Sequence, residues 1–164
     1  MKAKIGIYPG AFDPITFGHL DIIKRSLNMV DKLIIGVADN INKKSLLSLD
    51  DRKKLILSDI KTYLETKVDI SIKTVSGLLT DYAKKNNVTC IIRGLRAVSD
   101  FEYEFQMTGM NYQLNPNVDT IFLMSSEKYS FISSNFIKEV HKLGGDVSRF
   151  VSKNTINILN TKNI

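Results

Sequence analysis

The sequence predicts an α/β fold: a doubly wound, five-stranded parallel sheet with helices on both faces. Three observations lead there. Short apolar runs alternate with amphipathic stretches along the whole chain. The second of these runs, Leu33-Ile34-Ile35-Gly36-Val37, is continuous rather than alternating, as in strands buried on both faces. The 164 residues suffice for one domain with a buried core and are too few for two of ordinary size. A single domain over residues 1–164 is therefore expected, with right-handed crossovers between its strands.

The first strand is expected over residues 4–8, ahead of a turn rich in proline and glycine. Leu20, Ile23, Leu27 and Val30, spaced by three or four, predict a helix over about 18–30. The second strand spans 32–38. Ser48 with Asp51 three residues on is an N-cap signal for a helix to about residue 64, with Leu57, Ile60 and Leu64 on one face. Residues 68–73 read as the third strand, 80–86 as a short helix and 88–92 as the fourth strand. Ser99 with Glu102 reads as a capping box opening a helix to about residue 114. The fifth strand spans 119–124. A helix then starts near Ser133 and carries Phe136, Ile137 and Val140, and a last one runs from Ser152 to about Asn160.

Apolar residues make up 43% of the chain and charged residues 24%, ordinary values that exclude disordered and low-complexity classes. The longest apolar run is far below the roughly 20 residues of a membrane-spanning helix. The N-terminus has no signal-like apolar region, so a cytoplasmic location is expected, with no membrane contact. A lone Cys90 offers neither a disulfide nor a metal cluster and reads as core filler. Twenty-three basic against 17 acidic residues give a net charge of +6, which favours anionic partners. The lysines are scattered rather than gathered into a stripe, so a phosphate-rich small molecule is expected and nucleic acid is not.

In folds of this class ligands sit outside the carboxyl ends of the strands. Chemistry is therefore expected in segments 9–19, 39–45, 75–79, 93–100 and 125–134. The first places Gly18-His19 at a helix start, a natural anion site, and the histidine could donate a hydrogen bond to a phosphate. Arg93 and Arg96 flank a glycine at a strand end, where two guanidinium groups could clamp phosphate oxygens. Ser130, Ser133 and Ser134 surround another helix start and could hold terminal phosphates. Lys43 and Lys44 follow the second strand in a loop. No carboxylate stands at metal-ligand spacing from either histidine, so no side-chain metal site is expected.

Three motifs carry a resemblance. Gly10-Ala11-Phe12-Asp13-Pro14, closing on Gly18-His19, resembles the nucleotidyltransferase signature, with Thr16 opening Thr16-Phe17-Gly18-His19. Arg93-Gly94-Leu95-Arg96, followed by Asp100-Phe101-Glu102-Tyr103-Glu104, is similar to the R-G-L-R-x-x-x-D-F-E-Y-E run of the bacterial phosphopantetheine adenylyltransferases. Ser130-Phe131-Ile132-Ser133-Ser134 with Lys138-Glu139-Val140 matches their third motif. The resemblance implies a Rossmann-like fold and transfer of AMP from ATP to 4′-phosphopantetheine, giving dephospho-coenzyme A and pyrophosphate. It implies catalytic roles for His19, Lys43 and Arg93. ATP would meet Ala11, Phe12, His19, Gly94, Leu95, Arg96 and Glu104, together with the run Tyr129, Ser130, Phe131, Ile132, Ser133, Ser134 and Asn135. Phosphopantetheine would meet Ala11, Lys43, Leu79 and Arg93. Further implications are Mg²⁺ held mainly by ATP phosphates, a homohexamer, and feedback by coenzyme A.

The acceptor phosphate is already an anion, so no strong base is needed; in-line positioning and charge neutralisation suffice, without a covalent intermediate. Ala11 stands where the family usually has Thr or Ser, leaving only backbone N–H there. Tyr129 replaces a common Trp, and Asn135 a frequent third serine. Relatives acting on nicotinamide mononucleotide or glycerol 3-phosphate usually have His at the place of Thr16. A non-catalytic nucleotide-binding regulator or an RNA-binding module would not need His19, Lys43 and Arg93 at three strand ends.

Overall fold

The computed structural model describes residues 3–39, 45–96 and 98–162. Five parallel strands, β1 (Ile5–Gly10), β2 (Lys32–Ala38), β3 (Asp69–Val75), β4 (Cys90–Leu95) and β5 (Asp119–Met124), form one sheet in the order β3-β2-β1-β4-β5. Helices α1 (Phe17–Ser26), α2 (Leu49–Tyr63), α3 (Leu79–Lys85) and α4 (Val98–Leu114) connect the strands. Helices α5 (Ser134–Lys142) and α6 (Lys153–Thr161) close the chain after a short 3₁₀ turn, Glu127–Tyr129. The period-two alternation of β2 sends Leu33, Ile35 and Val37 to one face, against α1 and α2, and Ile34 to the other, with Ala83 of α3.

The strand order reverses at β1, and the structure marks that point clearly. β1 pairs with β2 along its whole length, from Ile5 opposite Lys32 to Gly10 opposite Val37. With β4 it pairs only at Gly6 opposite Cys90 and Ile7 opposite Ile91. Beyond Ile7 the two central strands part, which opens the crevice where such folds take ligands.

That divergence explains why β1 runs on to Gly10 rather than ending near Tyr8. Pro9 cannot donate to a ladder, and on the β4 side no ladder is left to join. Helix α1 stops at Ser26, short of the expected end near Val30. The Ser26 hydroxyl donates to the Ile22 carbonyl at 2.6 Å, and Met29 N–H closes a turn on Ser26 at 2.9 Å. Val30 keeps its periodic place by packing on Gly6, where an added Cβ would lie 2.8 Å from Val30 Cγ1. β3 extends to Val75 because β2 pairs with it up to Ala38. β4 includes Arg93 and Gly94, so Arg93 lies in the strand, opposite Phe122. Helix α4 begins at Val98, so Ser99 stands inside the helix rather than ahead of it. Asp100 in the first turn of α4 accepts the Arg96 backbone N–H at 3.2 Å.

Helix α2 packs on α6 through a buried carboxylate. Asp59 lies inside, and its Oδ1 has no hydrogen-bond partner. Burial pushes its carboxyl up to about 6, partly offset by the Ser152 hydroxyl at the start of α6. The unfolded chain releases this proton near pH 4, the folded one near 6, so stability falls as pH rises through that window. Asp59→Asn is expected to melt a few degrees above the parent at pH 8, at about 2–4 °C per kcal/mol gained. The advantage should fade below pH 5 in the same melting series.

Candidate active site at the carboxyl edge of the sheet

The turn after β1 delivers His19 in a defined tautomer. Thr16 is the N-cap of α1, its hydroxyl accepting His19 N–H at 3.4 Å, while His19 Nδ1 accepts Thr16 N–H at 3.0 Å. A backbone amide can only donate, so Nδ1 is the bare nitrogen and the proton sits on Nε2. Burial lowers the imidazole pKa to about 4, with Arg96 adding to the shift. The ring is held by Phe12, with centroids 5.1 Å apart, and by Tyr8 at 6.4 Å. His19 is thus a neutral, oriented N–H donor at the start of a helix.

Both arginines are held by carboxylates of α4. Arg93 donates from Nε to Glu104 Oε2 at 2.7 Å, from Nη2 to Glu104 Oε1, and from Nη1 to the Pro9 carbonyl at 3.1 Å. Arg96 donates from Nε and Nη2 to Asp100 at 3.0 and 3.3 Å and from Nη1 to the Ile132 carbonyl at 3.3 Å. Asp100 and Glu104 stand one helical turn apart and so share a face. The forks expected to be open for phosphate are engaged by carboxylates, which fix both guanidinium planes and leave only their remaining N–H groups for a ligand. Between them, Gly94 lets β4 approach α1: a Cβ there would sit 3.0 Å from Ile22 Cγ1 and 3.6 Å from the Tyr8 hydroxyl. Leu95 is buried beneath.

The serines divide their work. Ser133 is the N-cap of α5, accepting Phe136 N–H at 3.1 Å, which leaves its own hydroxyl proton free to donate. Ser134 spends its proton on the Pro14 carbonyl at 2.7 Å, latching α5 to the β1–α1 turn. Ser130 donates to Glu127 O at 3.0 Å within the 3₁₀ turn that ends at Tyr129. Ile132 is buried, Phe131 is exposed with its ring edge-on to Phe150, and Asn135 is exposed. Removing one such latch costs about 1 kcal/mol. Ser134→Ala is therefore expected to lower the melting temperature by about 2–4 °C.

Ala11 is exposed at the turn. Leu79 begins α3 half-buried in the cluster of Ile7, Ile34 and Val75, on the other face of the sheet from α1, while its neighbour Leu78 is exposed. Lys43 lies outside the described residues. The guanidinium groups, His19 and the α5 start are thus linked by named contacts, and Leu79 stands apart from them. Three residues that the sequence reading left out also belong here. Tyr8 is buried between Phe12 and His19, and desolvation raises its phenol strongly, against the pull of Arg93 and Arg96. Asp13 is buried and accepts hydrogen bonds from the Leu46 and Leu47 N–H groups and from the Lys138 ammonium. Arg52 of α2 is buried and donates to the Ala11 and Ala38 carbonyls. Tyr8 read as an ordinary strand residue, and only the D-P pair hinted at Asp13. Among the described residues no three His, Cys, Asp or Glu side chains gather into a metal cage.

The cytidylyltransferase-like family matches residues 7–140. A phosphopantetheine adenylyltransferase of Wolbachia pipientis subsp. Culex pipiens (strain wPip) is 57% identical over 150 residues, 92% of this chain and 88% of that protein. The chain belongs to the phosphopantetheine adenylyltransferases. A phosphopantetheine adenylyltransferase of Rhodospirillum centenum is 49% identical over 93% of this chain and 83% of its own length. Among solved structures, a bifunctional NMN adenylyltransferase/ADP ribose pyrophosphatase from Francisella tularensis, complexed with AMP and a manganese ion, superposes with a TM-score of 0.72. It is 18% identical and covers 98% of this chain and 49% of that one, so it speaks for the Rossmann-like nucleotidyltransferase fold alone. Within the phosphopantetheine adenylyltransferases, Thr16 acquires a concrete meaning: its hydroxyl and amide close the capping box that sets the His19 tautomer.

Proposed function

We propose that the chain transfers AMP from ATP to the phosphate of 4′-phosphopantetheine, releasing pyrophosphate and forming dephospho-coenzyme A. The observation that carries the reading is His19. A neutral imidazole with its Nε2 proton fixed is suited to donate to the α-phosphate as charge builds on it, and it does so without competing as a base. The acceptor phosphate attacks in line, pyrophosphate leaves, and no covalent intermediate forms. Arg93 and Arg96, aimed by Glu104 and Asp100, present guanidinium N–H groups to phosphate oxygens. Ser133 offers its hydroxyl and α5 its first N–H groups to the terminal phosphates. Gly94, Leu95 and the 129–135 segment are the nucleotide contacts that the family resemblance implies; Ala11, Leu79 and Lys43 are its implied acceptor contacts, of which Leu79 stands apart from His19 and the arginines and Lys43 lies outside the described residues. Mg²⁺ would be held mainly by the ATP phosphates rather than by side chains, and would supply neutralisation of the pyrophosphate charge.

Assembly from identical chains is proposed on the exposed apolar side chains of α4. Phe101, Tyr103, Phe105, Met110, Tyr112 and Leu114 are all exposed on this one helix, and large apolar side chains left in water favour a covering partner. A second copy of the chain is the proposed cover, in a closed homo-oligomer such as a hexamer. Coenzyme A shares the pantetheine arm of the acceptor and the adenylate of the donor, so it is expected to compete at the same mouth. No helix among the described residues is long and apolar enough to cross a membrane, and a cytoplasmic enzyme is proposed. Pyrophosphate release with ATP and a panel of acceptors tests the reading. Release with phosphopantetheine and not with nicotinamide mononucleotide or glycerol 3-phosphate is expected; the opposite preference would overturn it.

A further inference from the structure

Arg52 is a charge buried without an obvious counter-charge. Its side chain is 4% exposed, and among the described residues no carboxylate pairs with it. Nη1 donates to the Ala11 carbonyl at 2.9 Å and to the Ala38 carbonyl at 3.0 Å, while Nε has no partner. A guanidinium kept in the interior for two neutral carbonyls is a poor source of stability, since an apolar side chain of the same length would fill the space without the desolvation penalty. Its position suggests another use.

The Ala11–Phe12 peptide is trans, so its C=O and N–H point in opposite directions. With the carbonyl drawn inward onto Arg52, the Phe12 N–H faces away from the interior, on the side where Ala11 is exposed. Among the described residues that N–H has no hydrogen-bond acceptor. Phe12 also adopts a φ of 49°, the left-handed region that costs a non-glycine residue energy, so something must hold it there. Its ring is pinned against Tyr8 and His19, and the next residue, Asp13, is anchored on Leu46, Leu47 and Lys138. Arg52 supplies the hold on the preceding side.

We infer that Arg52 is a positioning residue that turns the Ala11–Phe12 peptide so that the Phe12 N–H serves as a donor to a nucleotide phosphate. The inference rests on the adenylyl-transfer reading above. It has particular weight in this chain because Ala11 has no hydroxyl, leaving the backbone as the donor at this turn.

Arg52→Met and Arg52→Lys test it by thermal melting, calorimetric titration with ATP in the absence of acceptor, turnover, and the Phe12 amide resonance of the ligand-free protein. Arg52→Met is expected to melt near the parent, because a buried charge is exchanged for apolar volume. Its ATP dissociation constant and its kcat are each expected to worsen about tenfold, the scale of a small misplacement of a binding group, and the Phe12 amide is expected to move. Arg52→Lys keeps the charge without the fork and should recover part of the ATP affinity. An Arg52→Met protein with unchanged ATP affinity and an unmoved Phe12 amide would overturn the inference. Should that variant not fold, Arg52→Lys with parental values for both readouts would overturn it equally. If the parent itself neither binds ATP nor releases pyrophosphate, the adenylyl-transfer reading fails, and the inferred phosphate role of the Phe12 N–H fails with it.

Discussion

Replacing His19 by alanine is expected to lower kcat by about 10²-fold or more, the usual loss when one donor to a developing oxyanion is removed. The fold should survive, because Thr16 keeps its place as N-cap and Phe12 and Tyr8 still pack on each other at 5.5 Å. Steady-state kinetics with ATP and phosphopantetheine read the effect, and near-normal turnover would remove His19 from the chemistry. The pH profile supplies a second check. With its pKa lowered from 6.5 to about 4, His19 stays neutral through the physiological range. The parent should therefore show no loss of turnover near pH 6.5 from this ring. Its stability should behave differently: the folded ring resists the proton that the unfolded chain accepts near 6.5. The stabilising contribution is complete above that pH and is lost as pH falls toward 4. The melting temperature of the parent should thus fall faster than that of His19→Ala between pH 6.5 and 4.

The alternation of strands and helices was legible because burial on both faces leaves an uninterrupted apolar signature, as in Leu33 to Val37, and because serine caps mark α2, α5 and α6. Strand ends were less legible. Where β1 stops pairing with β4 is a matter of three-dimensional divergence, and no residue in Tyr8-Pro9-Gly10 announces it. The cations of the site could be found from their motifs, whereas their partners could not. The resemblance assigns Glu104 to ATP and gives Asp100 no role, yet each holds an arginine. Arg52 sits in the charged run Asp50-Asp51-Arg52-Lys53-Lys54, which reads as a solvent face, although the α2 register turns Arg52 inward beside Leu55 and Ile56. Val30 shows the converse limit, since helical spacing continued past the last residue that is helical.

Asp13→Ala is expected to be the most destabilising single change in the described part of the turn. Oδ1 accepts Leu47 N–H at 2.8 Å; Oδ2 accepts Leu46 N–H at 2.9 Å and the Lys138 ammonium at 3.1 Å. One carboxylate thereby ties the β1–α1 turn both to the entry of α2 and to α5. Its removal strands two amides and an ammonium, a loss of about 3–5 kcal/mol for a broken buried pair. In a chain of this length that lowers the melting temperature by about 10 °C. Lys138→Met separates the contributions. It leaves Asp13 with its two backbone donors, so it should cost far less than Asp13→Ala if the amides are the essential partners. Equal losses in the two variants would instead identify the ion pair as the tie. Melting curves of both single variants and the double variant give the coupling directly. An Asp13→Ala protein melting within about 2 °C of the parent, less than 1 kcal/mol on this scale, would show that the turn is held by other contacts.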